Sequence, residues 1–147
     1  IYKSGKAKAI GVSNFTIRHL KELVESSDVI PAINQVEFHP YLYQKELLDF
    51  CNGKGIKLEA YSPLTHGEKL NDTKLVEIAK KYNKSTAQVL IKWGLQHGLI
   101  VIPKSSKKER IIENSSVFDF EISGEDMEKL DGFNENLRTC WDPTDAP

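Results

Sequence analysis

The sequence predicts an α/β fold built of parallel (β/α) units, and three observations carry that prediction. Apolar runs of strand length, near 9–12, 32–38, 56–61 and 99–102, alternate with stretches of helical periodicity. Each interval is long enough for a crossover helix between parallel strands. Polar residues gather where each run ends: Ser13 and Asn14, Gln35, Tyr61 and Ser62, then Lys104 and Ser105. In a (β/α) barrel that end of the strands is the active face. Four strands are too few to close an eight-stranded barrel, so the expected architecture is half of a TIM (β/α)8 barrel, with 1–147 as a single segment. The chain opens on Ile1 and not on Met, which fits an expectation of further residues upstream.

Taken in order, Gly5 reads as the stop of a helix end or basic loop, and 9–12 as the first strand. Thr16 opens a helix to about Ser26, with Ile17, Leu20, Leu23 and Val24 on one side. The second run carries Asn34, Gln35 and Glu37, unusual residues for a plain buried strand, and closes at His39-Pro40. A short helix over 44–52 turns Leu47, Leu48 and Cys51 inward and exits through Gly53 or Gly55. After the third strand, the polar 65–71 loop with Gly67 reads as mobile. Leu75, Ile78, Ala79 and Tyr82 mark the next helix. Ser85 with Gln88 forms a capping box for a helix that stops at Gly98, and Ser123 with Asp126 opens the last one. The tail from Asn134 onward has no regular pattern.

Composition excludes several classes of function. The formal net charge is -1 over 147 residues, and no segment concentrates basic charge with interleaved aromatics, so no nucleic-acid or membrane-surface partner is expected. Cys51 and Cys140 lie far apart, and no Cys or His pair has metal-ligand spacing. A reduced, cytoplasmic protein without a metal is the expectation. No apolar run approaches a membrane span, and no signal-peptide pattern opens the sequence.

The richest stretch is 99–114, where a short apolar run ends in the basic, hydroxyl-bearing turn Pro103-Lys104-Ser105-Ser106. The run reads as a strand buried on both faces. Ser106 and Glu109 fit a capping box, which places a helix N-terminus just after Lys104 and Ser105 and makes the turn a candidate phosphate site. Arg110, Glu113 and Asn114 fall on one face of that helix. By itself the stretch equally describes a solvated basic helix start.

Gly11-Val12-Ser13-Asn14-Phe15, Asn34-Gln35-Val36-Glu37-Phe38-His39-Pro40, Ala60-Tyr61-Ser62-Pro63-Leu64, and Ile102-Pro103-Lys104-Ser105 with Arg110, Glu113 and Asn114 together resemble the aldo-keto reductase family, in the right order over nearly the whole chain. The resemblance implies strands five to eight of the barrel. It also implies NADPH-dependent reduction of aldehydes and ketones, with a small-molecule carbonyl as substrate. It assigns Ser13, Asn14 and Gln35 to the nicotinamide carboxamide, Tyr61 to the ring, and Ser62 and Leu64 to the pyrophosphate. Lys104, Ser105 and Arg110 would hold the adenosine 2′-phosphate, with Glu113 and Asn114 near the adenine. The family's catalytic Asp, Tyr, Lys and His belong to the first half of the barrel, and nothing in this sequence is in register with it. The chain alone is therefore expected to be inactive, and its two open sheet edges to favour self-association. The second reading is a non-catalytic NADP-binding or regulatory module on the same fold.

Other polar residues read as structural. Tyr41, Tyr43 and Tyr82 occupy loop or helix positions; His39 belongs to a His-Pro turn and reads as structural or substrate-lining; His19, His66 and His97 read as surface residues. Glu37 and Glu59 read as partners of polar groups and not as an acid/base pair. Trp141 either packs beneath the tail or lines a substrate pocket.

Overall fold

The computed structural model describes residues 2–146. Four parallel strands, β1 (Val12–Ser13), β2 (Ile33–Glu37), β3 (Lys57–Tyr61) and β4 (Ile100–Val101), lie in the order β1-β2-β3-β4. The helices are α1 (Ile17–Ser26), α2 (Lys45–Lys54), α3 (Thr73–Lys81), α4 (Thr86–Gln96), α5 (Lys108–Ser115) and α6 (Gly124–Asp131). Each strand is followed by at least one helix, as the alternating pattern predicts. Register is continuous across the sheet, with Ser13 opposite Gln35, Gln35 opposite Glu59, and Glu59 opposite Ile100.

Strand alternation sorts the side chains into two layers. Val36, Phe38, Leu58 and Ala60 are buried with Leu20, Leu48, Cys51, Leu90 and Trp93 in one contiguous core between sheet and helices. Phe38 stacks on Trp93 with ring centroids 5.7 Å apart, and the Trp93 indole N–H donates to Asp131 at 2.7 Å. Gly94 lets α4 approach β4, because a Cβ there would lie 2.9 Å from Val101 Cγ2.

The expectation for 99–102 holds on one face only. Leu99 is buried, but Ile100 and Ile102 are each 39% exposed. The core helices pack on the Val36, Leu58 and Ala60 face; on the other face Ile100 and Ile102 stay exposed while tail residues Thr139 and Cys140 bond to buried Glu37 at the end of β2. Both β1 and β4 are edge strands.

Local chemistry sets most helix ends. The Ser85 hydroxyl accepts from the Gln88 amide while Gln88 Oε1 accepts from the Ser85 amide, the reciprocal box expected. Ser123 accepts from the Asp126 amide, and Gly55, at φ 71°, closes α2 through the Asn52 and Cys51 carbonyls. Asp72, which sequence reading passed over, caps α3.

The Ser106–Glu109 box is not formed. Ser105 Oγ accepts from the Lys107 amide at 3.2 Å in a local turn, and α5 starts at Lys108 with Lys107 as an N-cap that lacks a side-chain bond. The 65–71 loop is also more constrained than its composition implies. Thr65 is fully buried, its hydroxyl accepts from the Lys69 amide, and Lys69 pairs with Glu135.

Candidate functional site at the C-terminal ends of the strands

The C-terminal ends of β1, β2 and β3 hold a connected set of polar side chains. At the end of β1, Asn14 adopts a left-handed backbone (φ 59°), a conformation Asn tolerates better than most residues. Its amide N–H donates to the Gln35 carbonyl at 2.8 Å, and the Ser13 hydroxyl donates to the same carbonyl at 3.1 Å. The Tyr61 hydroxyl, at the end of β3, donates to Asn14 Oδ1 at 3.0 Å. Burial pushes the Tyr61 hydroxyl above its ordinary pKa, so it remains a donor at neutral pH. Gln35 Nε2 donates to Glu59 Oε1 on the neighbouring strand.

The odd residues of β2 each acquire a partner. Buried Asn34 clamps the Phe15 backbone, accepting from its amide at 3.3 Å and donating to its carbonyl at 2.8 Å. Buried Glu37 accepts from His39 Nε2 at 3.2 Å, from the Thr139 amide and hydroxyl at 2.7 and 2.5 Å, and from the Cys140 amide at 3.2 Å. Burial alone raises a carboxyl pKa. Here the bonds from Thr139 and His39 outweigh it and hold Glu37 below its ordinary value. Burial likewise lowers His39, which is 1% exposed and keeps its Nδ1 without a partner among the described residues.

A cavity of about 690 Å³ opens beside this cluster, between the end of β3 and the start of α5. Its walls include Ser62, Leu64, Lys104, Ser105, Arg110, Glu113 and Asn114, seven of the residues singled out in sequence, and they meet there although they span more than fifty positions. Ser85, Thr86 and Ala87 from the start of α4 also line it; the sequence marked Ser85 as a helix cap and none of the three as a site residue. Ser13, Gln35 and Glu59 instead line a second space of about 390 Å³ on the face of β1 to β3 away from the core helices. Tyr61 and Asn14, joined by their hydrogen bond, belong to neither wall set.

The histidines are less superficial than expected. His19 is 7% exposed; its Nδ1 accepts from the Thr16 amide at 3.0 Å and its Nε2 lies 3.0 Å from the Ala146 carbonyl. His97 lies 2.8 Å from Asp131 and against the Tyr43 and Trp93 rings. His66 lines the larger cavity, with Nε2 2.9 Å from Ser62 Oγ and 3.4 Å from Cys140 Sγ. The contacts with Ala146, Asp131, Tyr43 and Cys140 are long-range, so one-dimensional pattern could not reveal them, whereas Thr16–His19, Ser62–His66 and Trp93–His97 lie three or four residues apart.

The tyrosines hold structural places. Tyr41 is buried against Phe133, Tyr43 meets Trp93 edge-on, and the Tyr82 hydroxyl donates to Asp126 at 2.8 Å. Thr139 and Cys140, in the tail that showed no pattern, are site neighbours that sequence reading missed. Trp141 is 62% exposed and does not pack beneath the tail. Among the described residues no group of His, Cys, Asp and Glu could hold a metal ion, and no helix is long and apolar enough to cross a membrane.

Comparison with known proteins agrees with this arrangement. The chain is 55% identical over 143 residues to glyoxal reductase of Bacillus subtilis, covering 97% of this chain and 52% of that protein. It is 51% identical over 138 residues to aldose reductase B of Dictyostelium discoideum, covering 92% and 44% respectively. Among solved structures, apo Gox0644 superposes with a TM-score of 0.94 at 40% identity, covering 99% of this chain and 54% of that one. An aldo-keto reductase, AKR2E5, complexed with NADPH superposes with a TM-score of 0.88 at 36% identity, covering 95% and 46%. The chain thus spans about half the length of the curated relatives it matches. The family model described as "Aldo/keto reductase family" matches residues 1–135, and the chain belongs to that family.

Proposed function

We propose that the chain is the cofactor-binding half of an NADPH-dependent aldo-keto reductase that reduces aldehydes or ketones to alcohols. The observation that carries this reading is the single cavity shared by Ser62, Leu64, Lys104, Ser105, Arg110, Glu113 and Asn114. The donor set fits the group: two cations and a hydroxyl suit a monoester phosphate, which NADPH carries and NADH lacks. Ser62 and Leu64 border the pyrophosphate, and Glu113 and Asn114 lie toward the adenine. Ser13, Asn14 and Gln35 hydrogen-bond the nicotinamide carboxamide, and the Tyr61 ring supports the nicotinamide face. When bound, the cofactor supplies hydride. The residues of this chain bind it, orient it and fix which face is presented.

On this reading the segment 1–147 forms strands five to eight of the barrel and works in the cytoplasm. The catalytic Asp, Tyr, Lys and His lie in the complementary half, with the small-molecule carbonyl bound between them. By itself the chain binds NADPH without turnover, because no placed acid protonates the carbonyl oxygen. The test is a titration of the purified chain with NADPH, followed by nicotinamide fluorescence, alongside an assay with a reactive aldehyde. The expected result is saturable binding with no aldehyde-dependent oxidation of NADPH. Robust reduction would contradict the division of labour, and absence of binding would contradict the cofactor reading.

The open edges β1 and β4 and the exposed Ile10, Ile100 and Ile102 support a further expectation, that the isolated chain self-associates. Light scattering is expected to give a mass above that of one chain. A monodisperse monomer would count against it.

A further inference from the structure

We propose that Glu59 is a positioning residue, which fixes the orientation of the Gln35 amide so that this site selects a primary carboxamide. The inference rests on the cofactor reading above and concerns how its nicotinamide end is recognised. Gln35 and Glu59 lie directly opposite each other in the β2–β3 register, and Gln35 Nε2 donates to Glu59 Oε1. A carboxylate only accepts hydrogen bonds, so it tolerates the NH2 end of the glutamine and repels the oxygen end. Gln35 Oε1 is thereby the end left over, and among the described residues nothing donates to it.

The neighbouring amide is set the opposite way. The Tyr61 hydroxyl donates to Asn14 Oδ1, which leaves the Asn14 NH2 as the free end. The two residues are adjacent across the ladder, since the Asn14 amide donates to the Gln35 carbonyl at 2.8 Å. The two backbone-linked residues therefore leave one side-chain acceptor, on Gln35, and one side-chain donor, on Asn14. A primary carboxamide is the complement, with an NH2 for Gln35 and a carbonyl for Asn14. Without Glu59 the Gln35 amide has no electrostatic reason to prefer one flip, and its NH2 end opposes the carboxamide NH2 for part of the time.

Three ligands separate this role from a merely structural one: NADP+, its 3-acetylpyridine analogue, in which a methyl replaces the carboxamide NH2, and 2′-phospho-ADP-ribose, which lacks the nicotinamide. Calorimetry on the chain should show NADP+ binding tighter than the analogue. In Glu59→Ala, NADP+ should weaken about 3- to 10-fold, the range of one hydrogen bond, and the preference over the analogue should collapse. Affinity for 2′-phospho-ADP-ribose should stay within about twofold, since that ligand reaches only the distant phosphate end. Glu59→Gln conserves volume and still accepts from Gln35 but permits either flip, so its preference should fall between the two.

Unchanged preference in both variants overturns the proposal, as does equal loss for all three ligands, which would mark Glu59 as structural. Wild-type chain that binds 2′-phospho-ADP-ribose but gains nothing from the nicotinamide overturns the proposal and leaves the phosphate reading standing. Binding of none of the three overturns both.

Discussion

Replacing Lys104 and Arg110 together by alanine is expected to weaken NADPH binding about 30- to 100-fold while changing NADH affinity less than about threefold. The two side chains line the same cavity as Ser105 and approach it from separate elements, the turn after β4 and the exposed face of α5. A monoester phosphate carries close to two negative charges at neutral pH and accepts charge-assisted bonds, the strongest hydrogen bonds available to these side chains. Both residues are exposed, so water screens each contact, and the expected loss is set below the sum of two buried charge pairs. Binding to the wild-type chain should also weaken with added salt, and that dependence should flatten in the double variant. Parallel titrations with NADPH and NADH check the prediction. An equal loss for both cofactors would move the two cations away from the 2′-phosphate.

The second large effect is expected at Glu37. Glu37→Ala removes the acceptor of the Thr139 amide and hydroxyl, the Cys140 amide and His39 Nε2 at once. Leaving the buried His39 donor and the half-buried Thr139 and Cys140 donors without their acceptor costs about 3 kcal/mol, to be read as a shift of the urea midpoint. Amide exchange at Thr139 and Cys140 should accelerate more than exchange in α4, because the clasp fastens the tail to the end of β2 across more than a hundred residues.

The pH dependence has a definite sign. Glu37 has a folded-state pKa below its ordinary 4.5, so its contribution is complete above that pH and is lost as pH falls through the folded value. His39 is held below its ordinary 6.5 by burial, so the unfolded chain takes up its proton first and stability starts to fall below about that pH. Acidification should therefore destabilise the protein gradually below 6.5 and more steeply below 4.5. In Glu37→Ala the steeper part should shrink while the His39 part persists, since that part comes from burial. A wild-type stability that is flat between pH 6.5 and 4.5 would refute the His39 part, and one that falls no more steeply below 4.5 than Glu37→Ala does would refute the clasp.

What the sequence reveals depends on how locally each feature is determined. The Ser85–Gln88 box, the Ser123 cap and an α2 exit at Gly53 or Gly55, of which the structure uses Gly55, were legible because each is a contract between residues three or four apart. The Ser106–Glu109 box obeys the same rule and fails, because Ser105 captures the Lys107 amide one step earlier and delays the helix. The uniform apolar run 99–102 could not say which face the chain itself covers, since Ile100 is as hydrophobic as Leu99. The cavity was legible as a set of residues at strand ends, once a parallel sheet was inferred to bring those ends together. The long-range polar contacts were not. His19 with Ala146, His66 with Cys140, and Glu37 with Thr139 join positions 74 to 127 residues apart, and no periodicity records such pairs. Glu59 reads in one dimension as a strand carboxylate that partners some polar group, without saying which. The register that sets it opposite Gln35 is what gives it a role.

The most direct test of the account is phosphorus NMR of NADP+ titrated with the purified chain, in which the 2′-phosphate and the pyrophosphate give separate resonances. Contact with Lys104, Ser105 and Arg110 predicts that the 2′-phosphate resonance shifts on binding and that its titration moves to lower pH, because neighbouring cations favour the dianion. Both changes should disappear when Lys104 and Arg110 are replaced. A pyrophosphate signal that responds to binding while the 2′-phosphate signal and its titration stay as in free NADP+ would contradict the assignment of this cavity.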